Sequence, residues 1–352
     1  MSDVKKVNRL YNLQNEVKVA FIADDIKNFT EFDLFHNATF GLMLAAQELN
    51  AKVYLTESNN LKIVNNKVFA KFDEVILKHE LSNYLTIKNS NEYPLDLFEI
   101  VFARKDPPIN EIFISYIQTL LLIPHVSPDF SNVKNKSKTL IVNNPAGILQ
   151  ANEKLYALNF PKIIPLTVVT YKKNEILNFL DKHKEAVIKS IFNKGGEGVF
   201  YLNKDDKSVD SVIESSIQGG KKVALIQKYL PEVKAGDKRI VLLNGEPLGA
   251  IYRIPKEGEF RANVRRGASI KACQLSKRDL EICETLKPSL QKDGIYFTSI
   301  DVIGDYLIEV NVTCPASVQE VERCTGRAVA KEIISWAVEA VAGKSKHDLL
   351  KM

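Results

Sequence analysis

Three polar residues interrupt an apolar, strand-like run near the C-terminus, in the segment IDVIGDYLIEVNVTCPA: they are Asp301, Glu309 and Asn311. Acidic side chains are rarely buried unless they are paired or bind a cation. Glu309 and Asn311 are two residues apart, so on a strand they point to the same side. Carboxylate and carboxamide oxygens suit Mg²⁺, which prefers oxygen ligands. The pattern therefore indicates either a metal site or an edge hairpin whose acids face solvent.

The turn of this hairpin decides whether Asp301 joins the other two residues. An odd, three-residue loop over 304–306 would place Asp301 opposite Glu309. A two-residue turn over 304–305 would instead pair Asp301 with Ile308 and send it to the other face. Because two directly opposed acids repel each other, a cation between them is the simplest reason for the first pairing.

A glycine-rich stretch, AVIKSIFNKGGEGVFYL, occupies residues 186–202. It lacks the G-x-x-x-x-G-K-[ST] pattern of a P-loop, and the chain contains no G-x-G-x-x-G motif. Lys189 stands at a strand end, and Gly195, Gly196 and Gly198 precede the next strand. A glycine hairpin could close over phosphates with its backbone N–H groups while Lys189 supplies a positive charge. A plain β-turn is an equally good interpretation of these residues alone.

Two arginines, Arg239 and Arg253, lie on neighbouring predicted strands. Cationic groups inside strands need anionic partners, because an unpaired buried charge is costly. Residues 227–230 follow another strand and could offer backbone groups to a planar base. The polar loop 254–268 could be a lid that orders around an anionic substrate, and an ordinary surface loop is the alternative.

The elements that must position these residues alternate between strands and helices in the N-terminal part. We predict strands at 17–23, 52–55 and 97–103, a helix at 37–50, and a hairpin with a third strand within 61–77. This alternation favours an open, mainly parallel sheet, in which ligands bind at the carboxyl ends of strands. Residues 104–106 follow one such strand end.

The rest of the chain is predicted to begin with a linker. The predicted elements are a linker at 131–138, helices at 145–160, 174–182 and 326–341, and strands at 141–144, 167–170, 185–190, 199–202, 223–227, 239–243 and 248–254.

The composition is that of an ordinary soluble globular protein of two or three domains, with 352 residues, 45% hydrophobic and 26% charged. The net charge of +5 is a mild excess spread along the chain, which predicts a solvated surface and no nucleic-acid partner. The first residues lack the apolar core of a signal peptide, and no run approaches the roughly 18 apolar residues of a membrane helix. Four cysteines without a C-x-x-C pair, and five histidines without metal-ligand spacing, predict a reduced, cytoplasmic protein without a membrane partner.

Several long motifs together resemble the ATP-grasp superfamily, and within it the prokaryotic-type glutathione synthetases. They are RKDPP at 104–108, NEKLYAL at 152–158, QKYLPEVKAGDKRIVLLNGEP at 227–247, RIPKEGEFRANV at 253–264 and DVIGDYLIEVNVTCP at 301–315. The resemblance extends from about residue 17 to the last helix. It implies an α/β protein with an N-terminal open, mainly parallel sheet domain, followed by the two α+β subdomains of an ATP-grasp fold. We place these domains at 1–138, 139–218 and 219–352.

The resemblance also implies the reaction. Such enzymes are ATP- and Mg²⁺-dependent ligases, with Mn²⁺ a possible substitute, that join γ-glutamylcysteine to glycine through an acylphosphate and give glutathione, ADP and phosphate. The family further implies a homo-oligomer. Two alternatives stay open: another ATP-grasp carboxylate–amine ligase with a different acyl acceptor, and a nucleotide-binding homologue that has lost catalysis.

Roles follow for the matching residues of this sequence. The resemblance implies phosphate contacts for Lys154 and Lys189, a phosphate-covering loop at Gly195, Gly196 and Gly198, and an adenine slot at Gln227, Lys228, Tyr229 and Leu230. It implies stabilisation of the transferring phosphoryl group by Arg239 and Arg253, and magnesium binding by Asp301, Glu309 and Asn311. It implies binding of the peptide and glycine carboxylates by Arg104, Lys105, Arg261 and Asn263.

Three segments depart from the family pattern. After Lys189, the usual Pro-Leu-Asp-Gly is replaced by Ser-Ile-Phe-Asn at 190–193. The lid carries Arg265 and Arg266 where the family has a glycine-rich end. The family's Ser-Pro-Thr-Gly after the metal strand is Cys-Pro-Ala-Ser at 314–317.

Overall fold

A computed structural model describes residues 16–126, 139–259 and 261–342. The strands are β1 (Lys18–Ile22), β2 (Lys52–Thr56), β3 (Lys62–Val64), β4 (Lys67–Leu77), β5 (Leu85–Pro94), β6 (Ile100–Ala103), β7 (Leu140–Val142), β8 (Thr167–Thr170), β9 (Glu185–Ser190), β10 (Val199–Asn203), β11 (Ala224–Lys228), β12 (Asp237–Leu243), β13 (Glu246–Ile254), β14 (Ser269–Ala272), β15 (Phe297–Ile303) and β16 (Tyr306–Asn311). The α-helices are α1 (Glu31–His36), α2 (Ala38–Glu48), α3 (Glu111–Leu120), α4 (Pro145–Gln150), α5 (Lys173–His183), α6 (Val209–Ile217), α7 (Lys277–Lys292), α8 (Val318–Thr325) and α9 (Val329–Val341).

The N-terminal sheet is mixed. Its strands lie in the order β3-β4-β2-β1-β6-β7, and β5 pairs with β4. The ladders β2–β1, β1–β6 and β6–β7 are parallel, while β4 pairs antiparallel with β2, β3 and β5. The predicted α/β class is confirmed, with antiparallel hairpins added on one side of a parallel centre. The β3–β4 turn falls at Asn65 and Asn66, both with positive φ, as a tight two-residue hairpin requires.

Helices from both ends of the chain cover this sheet. Asn37 caps α2 by accepting a hydrogen bond from the Phe40 amide, as predicted. The C-terminal helix α9 packs against α2, and its Ile333 and Trp336 belong to the same buried cluster as Phe40. The N-terminal core is therefore completed by the last described helix of the chain.

Two antiparallel sheets follow the N-terminal sheet. The first has the order β10-β9-β11-β8 and buries its apolar side against α5 and α6. The second has the order β14-β13-β12-β15-β16 and packs against α7. The space between these two sheets forms the main cleft of the protein.

The structure corrects two predicted helices. The helix predicted at 145–160 ends at Gln150, and a short 3-10 helix, Tyr156–Asn159, follows. Asn152 interrupts it, because its side chain accepts hydrogen bonds from the amides of Lys154 and Leu155. The final helix begins at Val329 and not at 326, because Gly326 has positive φ and ends α8.

The predicted linker at 131–138 lies outside the described residues. The predicted domain limits remain a prediction, and strand β7, which they assign to the central subdomain, pairs with β6 in the N-terminal sheet. None of the helices within the described ranges is long and apolar enough to span a membrane.

Candidate active site

A cavity of about 380 Å³ lies between the two antiparallel sheets and holds most of the predicted site residues. The predicted residues that line it are Lys154, Lys189, Gly195, Gly196, Gln227, Lys228, Tyr229, Leu230, Arg239, Arg253, Arg261, Asn263, Asp301, Glu309 and Asn311. The predicted residues that do not line it are Gly198, Arg104 and Lys105. The sequence thus identified one contiguous, strongly charged cleft.

The hairpin β15–β16 brings Asp301 opposite Glu309 by a route that we did not predict. Its turn has two residues, and Ile303 pairs with Tyr306. A β-bulge after Asp301 then inserts one residue, Ile308, which restores the pairing of Asp301 with Glu309. The expectation that only a three-residue loop could do this is wrong. The consequence is as predicted, because Asp301, Glu309 and Asn311 all face the cleft.

Two arginines hold Asp301 in place. Nε and Nη2 of Arg239 each lie 2.8 Å from one of its carboxylate oxygens, and Nη2 of Arg253 lies 2.9 Å from Oδ2. Burial alone would raise the pKa of Asp301, but the two guanidinium groups outweigh burial and lower it well below its usual range. Arg253 also pairs with Asp237 at 2.5 Å and 2.7 Å. Both arginines therefore have the anionic partners that their strand positions required.

Lys154 forms an ion pair with Glu309, the second acid of the hairpin. Its Nζ lies 3.0 Å from Oε1 of Glu309 and donates to the Asn193 carbonyl at 2.8 Å. Burial would lower the pKa of Lys154, and the charge of Glu309 outweighs burial and raises it. The repulsion that we expected between Asp301 and Glu309 is thus already offset by cations of the protein itself.

Lys189 has no acidic partner within hydrogen-bond distance among the described residues. Its Nζ donates to Oε1 of Gln227 at 2.8 Å, a neutral partner, and Gln227 in turn donates to Thr167 at 2.9 Å. Burial lowers the pKa of Lys189 to about 8, and the more distant charge of Glu309 only partly opposes this shift. A buried ammonium beside a neutral amide is suited to receive an anion.

Some backbone groups of the predicted adenine slot, residues 227–230, already form hydrogen bonds within the sheet. The amides of Lys228 and Tyr229 donate to the carbonyls of Leu166 and Glu185 at 2.9 Å and 3.4 Å. The Tyr229 ring packs edge-on against Tyr201, with centroids 4.9 Å apart. This places an aromatic surface at one end of the cleft, where a planar base could lie.

The glycine turn and the lid contact each other. Gly195, Gly196 and Gly198 all have positive φ, a conformation that favours glycine. Arg261 Nη1 donates to the Gly196 carbonyl at 3.3 Å, and Arg266 Nε donates to the Gly195 carbonyl at 3.2 Å. A Cβ on Gly196 would come within 3.0 Å of the Arg261 side chain. The lid therefore rests on the backbone of the turn.

A second lid contact reaches the N-terminal domain. Arg265 Nη2 lies 2.6 Å from Oδ1 of Asp33, and its guanidinium carbon lies 5.1 Å from the centre of the Phe32 ring. Asp33 is also the third residue of a capping box at the start of α1. Arg265, which departs from the family pattern, thus ties the lid to the opposite wall of the cleft.

Arg104 and Lys105 lie where the sequence predicted them, at the carboxyl end of β6, but they do not line the main cleft. Arg104 is buried and donates to Thr39 at 3.0 Å and to the Pro315 carbonyl at 2.7 Å. Lys105 lines a separate cavity, where it pairs with Asp24 at 2.6 Å. Gly198 closes the base of the glycine hairpin, where its carbonyl accepts from the Ser190 amide. The ligand-binding roles of these three residues stay predictions.

The acids that line the cavity and were missed include Asp237 and Glu153. Asp237 pairs with Arg253, as described above. Glu153 is buried, and its Oε1 accepts from the amides of Val312 and Thr313, both at 3.1 Å, and from the Thr313 hydroxyl at 2.7 Å. Burial, together with the charge of Glu309, raises the pKa of Glu153. The sequence signals for both acids were present. Glu153 directly precedes the predicted cation Lys154 in the motif NEK, and Asp237 lies two residues before the predicted cation Arg239 in the motif DKR.

The protein family that this sequence matches is also the family of its individual relatives. Residues 17–148 match the N-terminal domain of prokaryotic glutathione synthetase, and residues 153–326 match the ATP-grasp domain of the same family. The glutathione synthetase of Thermosynechococcus vestitus is 40% identical over 327 residues, covering 90% of this chain and 98% of the relative. That of a Synechocystis species is 37% identical over 329 residues, covering 91% and 98%. That of Coxiella burnetii is 35% identical over 321 residues, covering 91% and 96%.

Solved structures establish the fold. D-cycloserine synthetase matches with a TM-score of 0.63 at 12% identity, covering 92% of this chain and 99% of that chain. A RiPP-associated ATP-grasp ligase from Chryseobacterium gregarium, in complex with ADP and a leader and core peptide, matches with a TM-score of 0.59 at 15% identity, covering 92% and 97%. At such low identity these proteins share the fold with this chain, and the predicted ATP-grasp fold is confirmed.

Proposed function

Because this chain belongs to the prokaryotic glutathione synthetase family, we propose that it is an ATP-dependent ligase that joins γ-glutamylcysteine to glycine and gives glutathione, ADP and phosphate. The observation that carries the proposal is the gathering of Lys154, Lys189, Arg239 and Arg253 in one cleft of a family member. These four cations in one cavity suit a nucleoside triphosphate and an anionic acceptor.

The reaction has two balanced steps. A cysteinyl carboxylate oxygen attacks the γ-phosphorus of ATP, so that ADP leaves and an acylphosphate forms. The glycine amine then attacks the acyl carbon, loses a proton and expels phosphate. Phosphoryl transfer depends mainly on positioning and on charge stabilisation, and no side chain has to act as a nucleophile.

Each cation has a role that its present contacts support. Lys189, whose hydrogen-bond partner among the described residues is the neutral Gln227, would pair with an ATP phosphate. Arg239 and Arg253 converge on Asp301 and thereby hold two guanidinium groups beside the hairpin, where they would stabilise the transferring phosphoryl group. Arg261, which rests on the glycine turn, would bind an acceptor carboxylate together with Asn263 as the lid closes.

The donor set of the hairpin fits magnesium. Asp301 and Glu309 are directly opposed, Asn311 lies two residues on, and all three residues line the cleft and carry side-chain oxygen atoms. These three residues would hold Mg²⁺, or Mn²⁺ in its place, and the bound ion would neutralise charge on the phosphate oxygens. The cleft residues would hold the cysteinyl carboxylate of the peptide in line with the γ-phosphorus of ATP. The lid would exclude water during this step.

We also infer a homo-oligomer in the cytoplasm. Oligomers are common in the family, and reduced cysteines suit that compartment. Light scattering on the protein as it elutes from a size-exclusion column measures the oligomeric state. Fractionation of the expressing cells measures the cellular compartment.

The test of the proposed function is ADP release by the purified protein with ATP, Mg²⁺, γ-glutamylcysteine and glycine. We expect ADP release to require all four components, and mass spectrometry to detect glutathione in amounts equal to ADP. Serine and β-alanine in place of glycine serve as controls for the acceptor. ADP release without glutathione, or equal use of another acceptor, would contradict the proposal.

A further inference from the structure

Glu320 is a cleft residue to which nothing above assigns a role. It lies in the first turn of α8, and its side chain lines the main cavity beside Cys314 and Ser317. Only 4% of the residue is exposed. A carboxylate so deeply buried needs partners for both of its oxygens.

Only one oxygen of Glu320 has such a partner. Nδ1 of His36 lies 2.7 Å from Oε1, and His36 is held against Phe32 by ring stacking at 4.1 Å. The other oxygen, Oε2, is buried without a hydrogen-bond partner among the described residues. A buried carboxylate oxygen without a hydrogen-bond donor is costly unless a partner supplies that donor.

Among the described residues, no other acid that lines the cleft has a buried oxygen without a hydrogen-bond partner. Within the described ranges, the remaining carboxylates that line the cavity are all engaged: Asp106 by Lys194, Asp237 by Arg253, Asp301 by Arg239 and Arg253, Glu309 by Lys154, and Glu153 by the amides of Val312 and Thr313. Glu320 therefore stands out as the carboxylate whose missing partner would come from a ligand.

The cations of the phosphate region and the carboxylate of Glu320 together indicate which charged groups a ligand of the cleft carries. The phosphate region carries Lys154, Lys189, Arg239 and Arg253, whereas the region at Glu320 offers a carboxylate with one unsatisfied oxygen. A ligand that satisfies both has a carboxylate for phosphorylation and a separate cationic group. γ-Glutamylcysteine has both, since its glutamyl residue keeps a free α-ammonium group. We infer that Glu320 binds this α-ammonium group, an inference that rests on the proposed function.

Glycine is a poorer match for Glu320. Its nitrogen must lose a proton before it attacks the acylphosphate, and a buried carboxylate stabilises the ammonium form. An ammonium anchor on glycine would therefore slow the second step. On the peptide, the same anchor holds a group that takes no part in the chemistry.

The experiment compares γ-glutamylcysteine with glutarylcysteine, in which hydrogen replaces the α-ammonium group, on wild type and on Glu320→Gln. We expect wild type to prefer γ-glutamylcysteine by about 10- to 100-fold in kcat/KM, as for a charge-assisted hydrogen bond. Glu320→Gln should lose most of this preference with unchanged KM values for ATP and glycine. Glu322→Gln, on the same helix but outside the cleft, should behave as wild type, because a glutamine can still accept from the Ala330 amide.

Two kinetic outcomes overturn the inference. Equal use of the two peptides by wild type would do so, and so would a Glu320→Gln defect in the KM of glycine. If wild type releases no ADP, the proposed function fails, and calorimetric titration of the two peptides with a non-hydrolysable ATP analogue present replaces the kinetic comparison. A binding preference that disappears in Glu320→Gln would keep the ammonium site, and equal or absent binding would remove it.

Discussion

The depressed pKa of Lys189 makes ATP affinity depend on pH in a defined way. In the free protein this pKa is about 8, because burial disfavours the ammonium form. A bound phosphate stabilises the ammonium and raises the pKa, so binding takes up a proton. With the lysine about half protonated at pH 8, ATP binding should take up about 0.5 proton there, and affinity should fall about tenfold between pH 7 and pH 9.

Calorimetry in buffers of different ionisation enthalpy measures this proton uptake directly. Lys189→Met should weaken ATP binding about 10- to 100-fold at pH 7, as the loss of a charge-assisted contact implies, and should flatten the pH profile. Lys221→Met, at an exposed position outside the cleft, is the matched control. Parallel pH profiles for wild type and Lys189→Met would refute the reasoning.

The same shift fixes the expected effect of this substitution on stability. Between pH 8 and the unfolded pKa of 10.5, the unfolded chain binds a proton at Lys189 that the folded chain does not. Stability therefore rises with pH across that window, and the cost of burying the ammonium is fully present below it. Lys189→Met removes the cost, so its melting temperature at pH 7 should equal or exceed that of wild type. A lower melting temperature would mean that Lys189 stabilises the fold.

Three further expectations concern the hairpin and the lid. Glu309→Gln should lower turnover about 10²- to 10³-fold and slightly lower the melting temperature, since Lys154 loses its partner; an unshifted Mg²⁺ titration of ADP release would exclude Glu309 from the metal site. Limited proteolysis should cut the lid at 254–268 in the free protein and not with ATP, Mg²⁺ and peptide bound; equal cutting in both states would contradict a closing lid. Arg265→Met should speed lid cleavage in the free protein by removing the contact with Asp33, and an unchanged cleavage rate would show that this contact does not hold the lid.

The cleft was predictable because its residues stand in local motifs at strand ends. The β3–β4 turn was predictable from two asparagines that tolerate positive φ. The β-bulges were not, because the inserted residue has no special type. The bulge in β15–β16 inserts Ile308, and a similar irregularity in β12–β13 places Asp237 opposite Arg253. Simple counting from each turn would have missed both pairings.

Other features depend on contacts that are far apart in sequence. Arg104 was placed correctly at the end of β6, but its direction is set by the Pro315 carbonyl, 211 residues away. Helix α7 was not predicted, and it contains Pro288, which usually disfavours a helix interior. Its Leu286 and Leu290 are fully buried against the C-terminal sheet. Tertiary packing there outweighs local preference.

The position of α9 has a consequence for synthesis of the protein. The N-terminal sheet emerges from the ribosome first, but part of its core consists of a helix that ends at Val341. The N-terminal family match ends at residue 148, and the 193 residues from 149 to Val341 must still be added before α9 is complete. At typical synthesis rates of about 5–20 residues per second, this corresponds to roughly 10 to 40 s of translation. During that time the apolar face that α9 will cover stays open to other nascent chains and to chaperones. The yield of folded protein should therefore depend on how fast the second half of its message is translated.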